Sequence, residues 1–448
     1  MTGTEPLDAE QAAAWGLAAV ARTELPRLSL GLLDLAPSDQ PAPDSIALLA
    51  AELAAPHGEL EVAFRDGARY TVETVDLPPG PAEKGPPALV PDATYVITGG
   101  LGGVGLLVAG HLVRRGARHL MLISRRSPDA ASASAVAQLR AGGVEVLLVQ
   151  ADVGDLAALR DAFGEAEKLP PIRGVVHAAG VLDDGVLVQQ DPGRLRAMAA
   201  PKLGGARNLR RVLGDRPLDF LLLFSSAAAL LGSPGQGGYA AANAELDIYA
   251  CELRRQGVPA TSVAWTGWQG VGMASTLGPR DLERLAGQGL APLGADQALT
   301  ALDRVLTEPV PPYLAVLAGS EEAALVRASD AAVTPVGPAA PATEPQPELH
   351  PRPDSFGPYT PPGTRAERIL AELWESAFRI TPIGVEDDFF ALGGDSILGL
   401  TLIARARQAG LLIKESALFE FPTVRSLAAV SEDIEAPATP PVNSTQPA

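Results

Sequence analysis

Tyr239 and Asn243 stand four residues apart in Tyr239-Ala240-Ala241-Ala242-Asn243, and Ser226 lies 13 residues ahead of the tyrosine. On a helix, positions i and i+4 share a face, so Tyr239 and Asn243 point together. Their types suit one piece of chemistry. Hydride reduction of a ketone needs a proton donor at the carbonyl oxygen, and a tyrosine serves when a nearby ammonium lowers its pKa by favouring the phenolate. Lys202 is the candidate ammonium. Ser226 is expected to donate a hydrogen bond to the substrate oxygen, and Asn243 to hold Lys202 or a relay water. Taken singly, these are a packing tyrosine, a strand-end serine and a surface lysine. Their order behind a nucleotide-binding pattern is what points to chemistry.

That pattern begins with a strand, Thr94–Thr98, which turns through Gly99-Gly100-Leu101-Gly102-Gly103-Val104-Gly105 into a helix. Glycines let the backbone approach a pyrophosphate, and the helix N-terminus offers N–H groups and positive dipole. The loop contacts are expected from Thr98, Gly99, Gly100, Leu101, Gly103, Val104 and Gly105. The next strand ends in Ser124-Arg125-Arg126, where an NAD site places an acid for the ribose 2′-hydroxyl. Arginine there favours a 2′-phosphate, hence NADPH. Asp152-Val153 closes the third strand, where the carboxylate can meet the adenine amine. Ala178-Ala179 follows the fourth, beside the nicotinamide, and His177 reads as a structural residue.

The elements that must position these groups run from residue 94 to about 318. Apolar strands at 94–98, 119–124, 144–152, 174–180, 219–226, 260–265 and 313–317 alternate with amphipathic segments. Strands apolar throughout and separated by helices indicate an α/β, doubly wound parallel sheet covered on both faces. The chain of 448 residues is long enough for several domains. We divide it into an N-terminal subdomain (1–90), a catalytic domain (91–327), a Pro/Ala-rich linker (328–360), a helical domain (361–431) and a disordered tail (432–448). A net charge of −18 argues against nucleic-acid binding. No apolar run approaches a membrane span, and no signal peptide is visible. One cysteine, Cys251, suits a reducing cytoplasm, and five scattered histidines offer no metal cluster.

The Ser226, Tyr239, Asn243 and upstream Lys202 set resembles the short-chain dehydrogenase superfamily, and more closely the ketoreductase domains of modular polyketide synthases. Those ketoreductases have Tyr-x-x-x-Asn with the lysine upstream, where the superfamily commonly has Tyr-x-x-x-Lys. The resemblance covers about residues 10–325 and implies a Rossmann-type catalytic fold preceded by a Rossmann-like structural subdomain. The latter is usually about twice as long, so residues 1–90 look like its second half, truncated or of variant architecture. Leu182-Asp183-Asp184 is similar to the signature of B-type ketoreductases, whose product is a D-configured β-hydroxyl, with Asp184 as the marker ahead of Lys202. The tryptophan that marks A-type domains is replaced by Leu231, and the proline of epimerising B-types by Ala241.

A second resemblance covers residues 364–430. Asp387-Asp388-Phe389-Phe390-Ala391-Leu392-Gly393-Gly394-Asp395-Ser396 is similar to phosphopantetheine carrier domains, small four-helix bundles, and closer to peptidyl than to acyl carriers. It implies 4'-phosphopantetheine on Ser396, at a helix N-terminus whose dipole favours a phosphodiester. The implied partners are an acyl or peptidyl thioester on this carrier, a phosphopantetheinyl transferase and neighbouring assembly-line domains. The leading expectation is NADPH-dependent reduction of a carrier-tethered β-ketoacyl thioester. Two others stay open: an α-ketoacyl substrate in a depsipeptide nonribosomal module, and a non-catalytic scaffold with a carrier.

Overall fold

The computed structural model describes residues 7–35 apart from 27 and 29, the scattered positions 46, 47, 49, 50 and 52, 61–77 apart from 66, 67 and 73, 89–272, 285, 290–318, 324–328, 350–352, 358–378, 380–390, 392, 402, 406, 409, 411–413 and 417–433. Ser396, most of the expected linker and nearly all of the expected tail lie outside the described residues. The chain divides into two compact units, residues 1–340 and 341–448.

In the first unit, helix α1 (Ala13–Glu24) precedes a three-stranded sheet of β1 (Leu32–Leu35), β2 (Glu61–Arg65) and β3 (Ala68–Thr71), paired in that order. Strand β4 (Thr74–Asp76) leaves this sheet and pairs with the main one, so the N-terminal subdomain feeds directly into the catalytic fold. The main sheet continues with β5 (Thr94–Thr98), helix α2 (Gly103–Arg114), β6 (His119–Ser124), α3 (Ala130–Ala141), β7 (Glu145–Gln150), α4 (Leu156–Glu165) and β8 (Ile172–His177). Then come α5 (Pro192–Ala199), a π-turn (Ala200–Gly204), α6 (Gly205–Leu213), β9 (Phe220–Ser226), α7 (Ala228–Leu231), α8 (Gly237–Arg255), β10 (Ala260–Trp265), α9 (Ala295–Thr307), β11 (Tyr313–Leu317) and β12 (Ala324–Ala328).

The strand order is β4-β12-β11-β10-β9-β8-β5-β6-β7, with β5 to β11 all parallel. The strands lie where their apolar runs put them, because a parallel sheet is covered on both faces. Every residue of β5 and of β10 is buried. One core packs α2 and α9 beneath Trp265 and Trp268, and the opposite core packs α4, α6 and α8. The strands expected at 144–152 and 174–180 end earlier, at Gln150 and His177. Asp152 and Ala178 have already turned into loops at the carboxyl edge of the sheet. The order reverses between β5 and β8, and a crevice at such a switch point is where open α/β sheets bind ligands.

In the second unit, helix α10 (Arg365–Phe378) starts with Glu367 accepting from the backbone N–H groups of Gly363 and Thr364, at 2.8 and 2.9 Å. It buries Trp374 against Phe378 and Phe389. Two shorter helices, α11 (Ala417–Glu420) and α12 (Val424–Ala429), follow. The expectation of a helical domain over 361–431 is corrected here, since it also holds short strands. Ile380–Thr381 pairs with His350–Pro351, and Leu411–Leu412 with Glu432–Asp433. Segments expected as linker and tail thus add short backbone ladders to the unit, and Arg352 ion-pairs with the buried Asp387. Among the described residues, no helix is long and apolar enough to cross a membrane.

At the switch point His177 is fully buried, its Nδ1 2.8 Å from Thr98 Oγ1 and its Nε2 3.1 Å from the Lys202 carbonyl. Burial, and then the Lys202 charge, push its pKa from 6.5 down to about 4. Below 6.5 the unfolded chain therefore takes up a proton that the native state refuses. Stability is lost as pH falls from 6.5 and levels off below about 4. We expect this one group to contribute a loss of about 3 kcal/mol over that window. Urea unfolding of wild type and His177→Gln near neutral and near pH 4.5 measures it: the difference between the two chains should shrink at the lower pH.

Candidate active site

The glycine turn is shaped by what cannot fit there. Gly99 adopts φ +66°, and a Cβ on it would lie 2.8 Å from the Ala178 carbonyl oxygen; on Gly105 a Cβ would lie 2.3 Å from the Gly99 carbonyl oxygen. The loop therefore passes flush against the end of β8, where the Ala179 N–H donates to Thr98 Oγ1 at 3.2 Å. Gly100 donates to the Ile123 carbonyl at 3.1 Å, and Gly103 opens α2. Leu101 and Val104 pack on the core beneath the turn. Next door, Ser124 ends β6, and Arg125 and Arg126 are both exposed. Arg125 is 3.9 Å from Asp152. Asp152 accepts from the Gly154 N–H at 2.8 Å, while Val153 is buried and its carbonyl accepts from Asn208 at 3.0 Å. A tight glycine turn, a helix N-terminus and two exposed guanidiniums just past the adjoining strand fit a dinucleotide bearing a 2′-phosphate.

Across the switch point, the structure brings the four expected catalytic side chains together. The π-turn after α5 presents Lys202 inward, 4% exposed, and its Nζ donates to the Phe224 carbonyl at 2.6 Å. The same Nζ is 5.7 Å from the centre of the Tyr239 ring. The lysine stem lies against Gly180, where a Cβ would meet Lys202 Cε at 2.9 Å. Tyr239, on the third residue of α8, is buried beside Ser226 and Asn243. Ser226 Oγ accepts from the Ala228 N–H at 3.2 Å, so its own hydrogen is available.

Two expectations change. Asn243 does not hold Lys202: its amide donates back to the Tyr239 carbonyl at 2.8 Å, and its buried Oδ1 has no hydrogen-bond partner. An orphan acceptor of this kind suits a relay water instead. Nor is the Tyr239 pKa lowered. Burial raises it, and the nearby Asn243 and Ser226 only partly pull it back. The phenol thus arrives protonated, as a donor must. The adjacent ammonium is then placed to stabilise the phenolate left behind. Lys202 itself is pushed down to about 8 by burial, opposed by the charge of Asp247. Asp247 was not apparent from the sequence, although it lies four residues after Asn243 on one face of α8. It is buried, accepts from Ser262 Oγ at 2.6 Å, and is raised to about 7 by burial.

At the mouth of the crevice, Arg194 grips Asp183 with Nε and Nη2, at 2.8 and 2.7 Å. Asp184 is exposed; desolvation by its surroundings raises its pKa, and its Oδ1 accepts from Gln236 Nε2 at 3.4 Å. Of the two aspartates, Asp184 is the one whose charge is felt at Tyr239. Leu182 is 37% exposed.

The KR-domain family profile matches residues 93–270, the stretch that holds all of these groups. A ketoreductase from the first module of phoslactomycin biosynthesis in Streptomyces sp. HK803 is 35% identical and superposes with a TM-score of 0.61, over 70% of this chain and 71% of that one. The chain belongs to the ketoreductases of modular polyketide synthases. An A1-type ketoreductase structure is 37% identical, with TM-score 0.62 over 71% of this chain and 66% of the other. Similarity extends over 95% of the chain to erythronolide synthase EryA3 of Saccharopolyspora erythraea, at 37% identity, and over 96% to spectinabilin synthase protein NorA' of Streptomyces orinoci, at 35%. The ketoreductase and its neighbour span only 13% and 12% of those two proteins. The phosphopantetheine attachment profile matches residues 368–430. A ketoreductase of this family uses NADPH, which supplies the hydride when bound, and the carrier takes a covalent phosphopantetheine.

Removing the proton donor should be severe: Tyr239→Phe is expected to lower kcat by about 100-fold or more, read as NADPH oxidation. The Lys202 ammonium is present below about pH 8 and lost as pH rises through that value. Wild-type turnover should therefore fall above pH 8, and Lys202→Met should be slow and lack that limb.

Proposed function

We propose that this ketoreductase reduces a β-ketoacyl thioester, tethered to phosphopantetheine on Ser396, to a D-configured β-hydroxyacyl thioester. The observation that carries the reading is the buried Lys202 ammonium behind Tyr239, with Ser226 beside the phenol and the glycine turn across the switch point. In this account Tyr239 gives its proton to the substrate oxygen, Ser226 donates to the same oxygen, and Lys202 stabilises the phenolate. A second proton, drawn from solvent through a water on Asn243 Oδ1, then restores the phenol. Thr98 to Gly105 hold the pyrophosphate, Arg125 and Arg126 the 2′-phosphate, Asp152 and Val153 the adenine, and Ala178 and Ala179 the nicotinamide.

The configuration rests on Leu182-Asp183-Asp184 and on Leu231 in place of tryptophan. Those are local markers, whereas the similarity to an A1-type structure is spread over 71% of this chain. Tethering to the carrier supports turnover by raising the effective concentration of the keto group. The phosphopantetheinyl transferase and the neighbouring modules are the partners this reading requires. A second reading, an α-ketoacyl substrate, is favoured by one feature: the Phe389-Phe390-Ala391-Leu392-Gly393-Gly394-Asp395-Ser396 string resembles peptidyl carriers. A scaffold without catalysis would not need Lys202, Ser226, Tyr239 and Asn243 assembled in one buried cluster.

Matched β-keto and α-keto pantetheine thioesters, supplied with NADPH and analysed on a chiral column, test this. Faster β-keto turnover with a D product is expected; α-keto preference moves the chain to the second reading. Incubation with a phosphopantetheinyl transferase and coenzyme A should add one phosphopantetheine by mass to wild type and none to Ser396→Ala.

A further inference from the structure

The last turn of α1 carries a carboxylate, Glu24, where a helix dipole disfavours negative charge. Its two oxygens are both occupied, by two different loops of the catalytic domain. Oε2 accepts the Leu187 N–H at 2.7 Å, and Oε1 accepts the Gly235 N–H at 2.7 Å. Leu187 opens the 3-10 turn (Leu187–Gln189) that ends the segment begun by Leu182. Gly235, in a left-handed conformation at φ +82°, ends the loop that leads into α8 and Tyr239. The two loops also join directly, Gly185 N–H to the Gly235 carbonyl at 2.7 Å. The next residue, Gln236, is the one that meets Asp184.

The helix that brings Glu24 is itself fixed on the catalytic domain. A Cβ on Gly16 would lie 2.4 Å from the Ala240 carbonyl, and one on Gly232 would lie 2.3 Å from the Ala19 carbonyl, so α1 sits in backbone contact with α8 and the end of α7. Little freedom remains for the carboxylate.

We propose that Glu24 is a positioning residue for stereocontrol: one carboxylate from the N-terminal subdomain ties the 182–189 segment to the start of α8 and so sets Asp184 relative to Tyr239. This rests on the reading of Leu182-Asp183-Asp184 as the segment that selects the product configuration. Substrate approaching Tyr239 would pass a segment held from the N-terminal subdomain, and the precision of reduction would depend on a residue that touches neither substrate nor cofactor. Replacing Glu24 by Gln keeps its size but leaves one acceptor, and turns a donor toward an N–H group.

The full-length chain carries the test, as wild type, Glu24→Gln and Asp184→Ala, with a β-ketoacyl pantetheine thioester and NADPH. Loss of one such hydrogen bond should raise the minor product configuration in Glu24→Gln about tenfold and raise KM more than it lowers kcat. Amide hydrogen exchange in peptides spanning 183–190 and 233–238 should quicken by a similar factor. Unchanged exchange in both loops overturns the clamp, whatever the activity does. Faster exchange with an unchanged product ratio, while Asp184→Ala mixes the products, overturns the stereocontrol role. If Asp184→Ala also leaves the products unmixed, the reading of the loop falls and takes the proposal with it, an outcome set apart by the accelerated exchange. Equal losses across kcat and melting temperature, with KM and product ratio unmoved, would mean that Glu24 merely stabilises the fold.

Discussion

Burying the Lys202 ammonium next to a phenol is the constraint around which this active site is arranged. Taking a charge out of water costs several kcal/mol unless it finds compensation. Here the carbonyl of Phe224 takes one N–H, and Asp247 supplies an opposing charge from within α8. Neither group could be placed without the sheet. Phe224 is held near the end of β9 by its pairing with Val263 of β10, and the π-turn after α5 carries Lys202 within reach of its carbonyl. His177 stays neutral for the same reason: a second cation beside Lys202 in a buried site would add repulsion with nothing to offset it.

The division of labour around the crevice follows from the strand order. On one side of the β5–β8 reversal the chain offers glycine backbone, a helix N-terminus and arginines, all suited to phosphates. On the other it offers a buried acid–base cluster suited to a polarised carbonyl. Burial shifts both groups toward their neutral forms: the phenol keeps its proton until charge develops on the substrate oxygen, and the ammonium, still charged below about pH 8, can then stabilise the phenolate. The carrier is a separate unit, built around Trp374 and Phe389.

Much of this was legible in the sequence wherever one local rule governed. Unbroken apolar runs specified the seven parallel strands, since a strand covered on both faces has no polar side to show. Glycine spacing specified the phosphate turn, and the i, i+4 relation aligned Tyr239 with Asn243. What escaped depended on contacts between distant segments. That β4 leaves its own subdomain for the catalytic sheet, that Lys202 chooses the Phe224 carbonyl over Asn243, and that Glu24 reaches Leu187 and Gly235 are matters of tertiary placement with no short-range signal. Asp247 had such a signal, one turn beyond Asn243, but an aspartate on a helix usually faces solvent. The sign of the Tyr239 shift was misjudged because charge proximity was weighed and burial was not. In the second unit, pairing of two-residue segments is too short to leave any periodicity.

The claim at the centre of this account is a buried, partly neutralised ammonium beside a protonated tyrosine. The chain has four lysines, Lys84, Lys168, Lys202 and Lys414, so side-chain 13C labelling of lysine resolves each one by NMR. Titration should give a resonance with a pKa near 8 that is absent from Lys202→Met. If the Lys202 resonance titrates instead at the ordinary lysine value of about 10.4, the ammonium is not buried and the proton relay described here is wrong.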